Sequence, residues 1–196
     1  MKNKKYYKKP IKTIKSYSSY DIKIISKKDN LIEGVDISLN DFIEYSLNNN
    51  SRKILYIGRI NNNIAKNINT LLADNDRYNG KYNLFDYNIT IVSDDIRHIL
   101  NRHSKEHNQI SVTINKLSKY AEVISNPDYI GISNIQKRDN LCLIFFKKIN
   151  GYSVAIETVS KKKKMSLKTF YILKTNSKEF YNFLDNNNLI RIKNKA

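Results

Sequence analysis

LCLIFFKKINGYSVAIETVSKKKKMSLKTFYIL, residues 141–173, is the stretch that decides the fold. LCLIFFKKI (141–149) and YSVAIETVS (152–160) are apolar, β-branched and aromatic runs, and Asn150-Gly151 lies between them. Asn-Gly readily takes the positive φ values of a type I′ turn, so the spacing predicts a hairpin with a two-residue connection. The lysine run 161–164 makes a second turn, and SLKTFYIL (166–173) is a third strand. Cys142 is the single cysteine, so it has no disulfide partner within the chain and no companions for a zinc site. Set within LCLIFF, it reads as a small buried hydrophobe.

Working outward, the periodicity becomes helical. Asn40-Asp41 offers a cap for a short helix carrying Phe42, Ile43, Tyr45 and Leu47. KILYIG (53–58) reads as a strand. Ile60, Ile64, Ile68, Leu71 and Leu72 recur at helical spacing through 60–72. A turn-rich loop, DNDRYNGKYN, precedes a short strand, YNITIV (87–92). Ser93 or Asp94 then caps a helix with Asp95 in its first turn. Ile114, Leu117, Tyr120, Ala121 and Ile124 predict a helix over 113–125, stopped by Asn126-Pro127-Asp128. A short helix, SKEFYNFL (177–184), follows the third strand. Helices first and strands afterwards indicate an α+β domain: N-terminal helices packed on a three- to four-stranded antiparallel β-meander. No internal repeat is present.

Charge narrows the partners. The 196 residues hold 35 Lys and Arg against 18 Asp and Glu, a net charge of +17. Abundant Asn, Lys, Ile and Tyr match AT-rich coding, but such a bias does not explain the shortage of acids. A polyanion is the expected partner, with nucleic acid ahead of an acidic protein or a membrane surface. Residues 1–28 interleave ten lysines with Tyr6, Tyr7, Tyr17 and Tyr20. This is either an arm that touches phosphates and stacks on bases or a solubilising tail. Residues 1–50 are thus set apart as a basic arm with a short helix, and residues 185–196 as a basic tail. No apolar run approaches the roughly 18 residues that span a bilayer, and no hydrophobic segment follows the basic N-terminus. The expectation is a cytoplasmic protein without a membrane partner.

All three histidines, His98, His103 and His107, fall within SDDIRHILNRHSKEHN (93–108). At 100° per residue, His98 and Arg102 share one helix face, whereas Ile96, Ile99, Leu100, His103 and His107 share the other. His98 and His103 stand about 140° apart on a regular helix, so they do not converge without an early helix end. Three readings remain open. His103 and His107, four apart, suit a metal but lack a third ligand and the zinc-protease pattern. His103 can equally be a core histidine bonded to backbone. Or the helix supplies acid–base catalysis, with Arg102 beside it and Lys and Tyr from the sheet.

ILYIGRI (54–60), DDIRHILNRH (94–103), NPDYI (126–130) and GYSVAIETVSKKKKMSLKTFY (151–171) occur in that order. Together they resemble the phage-encoded barnase–EndoU–colicin–RelE-like nucleases over roughly residues 51–182. The resemblance implies helices packed on a four-stranded antiparallel sheet, a nuclease domain over 51–184, and metal-independent RNA cleavage without a cofactor. It carries the family's histidines onto His98 and His103, its basic neighbour onto Arg102, and its strand-borne polar positions onto Glu157, Thr169 and Tyr171. The setting it implies is a phage or mobile-element toxin or host-directed effector. That effector would act in a bacterial cytoplasm, with delivery into a target cell left open and an immunity or antitoxin protein allowed as a partner.

These residue types suit the chemistry. RNA contains its own nucleophile, the 2′-hydroxyl, so the enzyme needs a base, an acid and cations. Histidine, with an unperturbed pKa of about 6.5, can fill either proton role. Arg102 can grip a phosphate bidentately, while Lys161, Lys162, Lys163, Lys164 and Lys168 act as point charges along the nucleic acid. Thr169 and Tyr171 position the substrate, or Tyr171 stacks on a base. Each has a plain alternative: Thr169 as a β-former, Tyr171 as a strand aromatic, and Glu157 as either a base or a charge on the solvent side of its strand. The alternative function is a non-catalytic basic protein that binds nucleic acid or blocks host nucleic-acid machinery.

Overall fold

The computed structural model describes residues 23–25, 37–103, 109–134, 140–149, 151–174, 178–187 and 189–192. The chain order is β1 (Lys23–Ile25), α1 (Leu39–Asn48), β2 (Ile54–Arg59), α2 (Asn62–Ala73), β3 (Asn88–Val92), α3 (Ser93–His103), β4 (Gln109–Ile110), α4 (Ile114–Leu117), α5 (Tyr120–Ser125), β5 (Tyr129–Ile132), β6 (Cys142–Lys148), β7 (Tyr152–Ser160), β8 (Lys164–Leu173), α6 (Lys178–Asn186) and β9 (Leu189–Arg191). The class is α+β, as read from the sequence.

The meander β6-β7-β8 forms as expected, but within a wider sheet. Its strands run β1-β2-β3-β8-β7-β6-β5-β9, with β4 attached to β8. Pairing is antiparallel except between β3 and β8, where Asn88, Ile89 and Thr90 lie beside Lys164, Met165 and Ser166. One expectation is therefore corrected. The sheet exceeds four strands, because β2 and β3, expected as short strands among the helices, join the meander through β8. The Thr90 hydroxyl reinforces the parallel seam, donating to the Met165 carbonyl at 2.9 Å and lying 2.7 Å from the Ser166 hydroxyl.

Burial explains why β6 is apolar from Cys142 to Phe146. Leu143 and Phe145 enter a large core with the helices on one face, while Cys142, Ile144 and Phe146 enter a smaller core under α6 on the other. A strand covered on both faces has no polar side to alternate with. In the small core the Phe180 ring stacks 4.3 Å from Tyr152. Cys142 is buried and free, the role expected of it.

Local details differ from expectation for identifiable reasons. The first helix is capped by Ser38, whose hydroxyl accepts from the Asp41 amide at 3.1 Å, so Asn40-Asp41 already lies in the first turn. The Ser93 hydroxyl does not cap α3; it donates to the Ser51 carbonyl and accepts from the Lys53 amide. The expected helix 113–125 divides at Ser118-Lys119, where the Ser118 hydroxyl bonds back to the Asn115 carbonyl. The β6–β7 connection holds three residues rather than two, because Lys148 pairs with Tyr152. Gly151 there has φ 116°, and a Cβ on it would lie 2.8 Å from Ile110 Cδ1. Only glycine fits.

Helix α1 packs on α3 and contributes Phe42 and Ile43 to the large core. Arg97 of α3 fastens its end, donating to the carbonyls of Ser46 at 2.9 Å and Asn49 at 2.6 Å and pairing with Asp94. The lysines and tyrosines expected to touch nucleic acid from residues 1–22 lie outside the described residues.

Candidate active site at the open edge of a strand

On the side away from β7, strand β8 is paired, among the described residues, only at its two ends. β3 covers Lys164–Ser166, and β4 covers Ile172–Leu173. Between them α3 leaves the end of β3 and runs alongside β8. The helix therefore delivers its last residue to the part of β8 that has no neighbouring strand among the described residues. That residue is His103, with Nε2 3.0 Å from Thr169 Oγ1. Its carbonyl accepts from the Val112 amide at 2.9 Å, which anchors the helix end to the chain returning through β4.

A β-bulge sets which side chains of β8 meet the histidine. Ile156 pairs with Thr169 but Glu157 pairs with Leu167, so Lys168 has no partner across the ladder. The extra residue reverses the alternation. Met165, Leu167, Phe170 and Ile172 all face the large core, and Thr169 and Tyr171 are turned to the opposite face. The Tyr171 ring centroid lies 5.9 Å from that of His103 and packs edge-on against Phe183 of α6. Burial pushes the Tyr171 phenol well up, so it remains an O–H donor rather than a proton source at ordinary pH.

The histidine helix separates its polar residues as the 100° rule requires. Ile96, Ile99 and His103 are buried on one face, whereas His98 and Arg102 are exposed. His103 keeps only 5% of its surface. His98 stands instead in a group of charges around Asp95, together with Arg52, Asp94 and Lys168. Burial raises the Asp95 carboxyl, while Lys168, Arg52 and His98 pull it down. The fold does not bring His98 and His103 together.

Glu157 requires a correction. It is neither exposed on the solvent side nor beside His103. It is completely buried on the helix-covered face, where Tyr120 of α5 donates to Oε1 at 2.7 Å. Desolvation, with a further push from Asp95, raises its carboxyl to about 8 against the hydrogen bond from Tyr120. Burial thus favours its uncharged form, and its place on the helix-covered face, bonded to Tyr120, keeps it apart from the His103–Thr169 pair. The Tyr120 partner was missed, although Glu157 shares strand parity with the core residues Ala155 and Val159. The charge of Lys168 acting on Asp95 was missed as well, and no local pattern signals it.

The lysines divide into two sets. Lys161, Lys162 and Lys163 are exposed on the β7–β8 turn, which the Lys163 carbonyl pins to the Asn88 amide at 3.0 Å. Six residues of strand place Lys163 roughly 20 Å from Thr169. Lys168, exposed on the bulge, is the lysine adjacent to the pair. Among the described residues no three His, Cys, Asp or Glu side chains form a metal-holding group. His107, which a His103–His107 metal pair needs, lies outside them. Among the described residues no helix is long and apolar enough to cross a membrane.

Fold and site together define a basic α+β domain with a histidine–threonine pair at the interrupted edge of a mostly antiparallel sheet. The family described as phage-Barnase-EndoU-ColicinE5/D-RelE like nuclease3 matches residues 66–180, more than half of the chain, and the protein belongs to it. The match takes in the histidine helix, Asn126-Pro127-Asp128 and β7–β8, but not ILYIGRI (54–60). No curated protein and no solved structure matches the chain significantly.

Proposed function

We propose that the protein is a metal-independent endoribonuclease with His103 and Thr169 as its reacting pair. The observation that carries this reading is the 3.0 Å contact between them at the unpaired segment of β8. Thr169 is half-buried and His103 nearly enclosed, so the hydroxyl stands between the imidazole and an approaching ribose. Thr169 receives the 2′-hydroxyl proton as its own passes to His103 Nε2, and the 2′-oxygen attacks the adjacent phosphorus. The bond to the 5′-oxygen breaks, leaving a 2′,3′-cyclic phosphate, and the 5′-oxygen gains the proton that the 2′-oxygen lost. Arg102 and Lys168 supply positive charge for the phosphorane, and Tyr171 a neutral O–H donor. Lys161, Lys162 and Lys163 hold a more distant part of the strand. In this reading His98 binds phosphate from the exposed face rather than sharing proton transfer with His103.

The test is incubation of purified protein with total RNA in EDTA. Cleavage to 2′,3′-cyclic ends is expected, with His103→Ala about 10²–10⁴-fold slower. RNA that stays intact across pH 5–9 would end the proposal. The enclosure of His103 favours a second reading, a non-catalytic RNA binder. It requires His103→Ala to keep both function and a salt-sensitive affinity, with log K falling by about 0.7 per phosphate contacted. A phage or mobile-element toxin acting in a bacterial cytoplasm, with an immunity protein, is the biological setting this reading fits.

A further inference from the structure

Glu157 is a fully buried acid that the mechanism does not use, and it stands opposite the bulge that aims Thr169. Its Oε1 accepts from Tyr120, and its Oε2 has no hydrogen-bond partner among the described residues. The fold itself gains little from such a group, because an apolar side chain of similar size would fill the space without desolvating a carboxyl. The site does gain something. SLKTFYIL can satisfy the large core through more than one bulge position, since Leu167 and Phe170 are three apart and only one extra residue is needed between them. Were Thr169 the extra residue, Lys168 would take its place opposite Ile156 and Thr169 would leave the ladder that aims it at His103. The hydrogen bond to Tyr120 ties β7 to α5 at one of the two residues that flank the bulge, and so fixes which β8 residue is extra.

We propose that Glu157 is a positioning residue: hydrogen-bonded to Tyr120, it holds the bulge at Lys168 and thereby presents Thr169 to His103. The proposal rests on the reading of His103 and Thr169 as the reacting pair. The groups that act on Glu157 are Tyr120 from α5 and Asp95 from α3; its charge reaches Cys142 of β6 on the other face of the sheet, and the charge of Lys168 on β8 acts on both Asp95 and Cys142. Ionisation would set a second negative charge near Asp95 in a site without solvent. The bulge then loosens, and Thr169 with it. The carboxyl's rise to about 8 puts that change within an accessible pH range.

The experiment follows the His103 and His98 ring signals by NMR in the full chain from pH 6 to 9.5, in wild type, Glu157→Gln and Glu157→Ala. No substrate is needed, so an inactive protein leaves this test intact, and the RNA assay judges the nuclease reading separately. Wild type is expected to show an inflection near pH 8 at His103, larger than any at His98, which meets Glu157 only through Asp95. Glu157→Gln keeps the low-pH His103 position and lacks the inflection. Glu157→Ala moves the His103 signal at all pH values and, where RNA is cleaved, lowers kcat by up to about 100-fold with little change in KM. Identical His103 signals in wild type and a folded Glu157→Gln or Glu157→Ala variant at every pH would overturn the proposal. Tyr120→Phe supplies a second route: it keeps the ring and removes the hydrogen bond, and an unmoved His103 signal there also counts against it.

Discussion

Glu157 and Thr169 stand one bulge apart on neighbouring strands, yet burial gives them opposite characters. The Glu157 carboxyl holds its proton up to about pH 8 when folded, whereas in the unfolded chain it titrates near 4.5. Between those values the folded state binds more protons than the unfolded one, so stability falls as pH rises through the window and levels off above it. The slope attributable to this residue is at most about 1.4 kcal/mol per pH unit. Glu157→Gln, which cannot ionise, is expected to flatten that slope and to exceed wild type in stability at pH 8, as read from urea midpoints at pH 5, 6.5 and 8. Thr169→Val keeps the β-branched shape but removes the oxygen 3.0 Å from His103 Nε2. Its expected effect is a loss of about 100-fold in cleavage rate at nearly unchanged melting temperature. Cleavage at the wild-type rate would exclude the hydroxyl from the reaction.

Among the elements, α3 does two tasks on opposite sides. Its first turn carries Asp94, Asp95 and Arg97, which engage α1 and the charges around the bulge, and its last residue reaches the open edge of β8. Arg97 donates to the carbonyls of Ser46 and Asn49, where α1 ends and carbonyls lack helical partners. Arg97→Ala is expected to lower the unfolding free energy by about 1–3 kcal/mol, seen as a shifted urea midpoint with an unchanged slope. A loss of that size at α1 with the His103 ring signals unmoved would show that the two ends of α3 act independently. The existence of α3 and the opposed faces of His98 and His103 were legible from the 3.6-residue period. The bulge left a trace as well: in MSLKTFYIL the core residues are Met165 and Leu167, then Phe170 and Ile172, an alternation that breaks at 168–169. Glu157 as a solvent-side charge was misjudged because both faces of β7 are covered, so period-two alternation says nothing about which face meets water.

For the whole molecule, charge dominates. A net charge of +17 favours a polyanion at any orientation, and the exposed Lys161, Lys162 and Lys163 turn concentrates it at one end of β7–β8. Replacing those three lysines with serine is expected to weaken RNA binding and to reduce the salt slope of log K by about 0.7 for each phosphate no longer neutralised. Because the turn lies far along the strand from Thr169, the cleavage rate at saturating RNA should change much less than Kd. An unchanged salt slope would place the RNA on another face.

The sequence alone determined the class of fold, the central β6–β7–β8 meander and the helix that carries the histidines. These follow from hydrogen-bonding periods and turn chemistry that act over a few residues. Only the tertiary structure decided that β3 joins β8 in parallel, that no described strand pairs with β8 between that seam and β4, and that His103 meets Thr169 across 66 residues of chain. Such partners depend on long-range closure and on packing of both sheet faces at once, and many pairings satisfy the same local pattern.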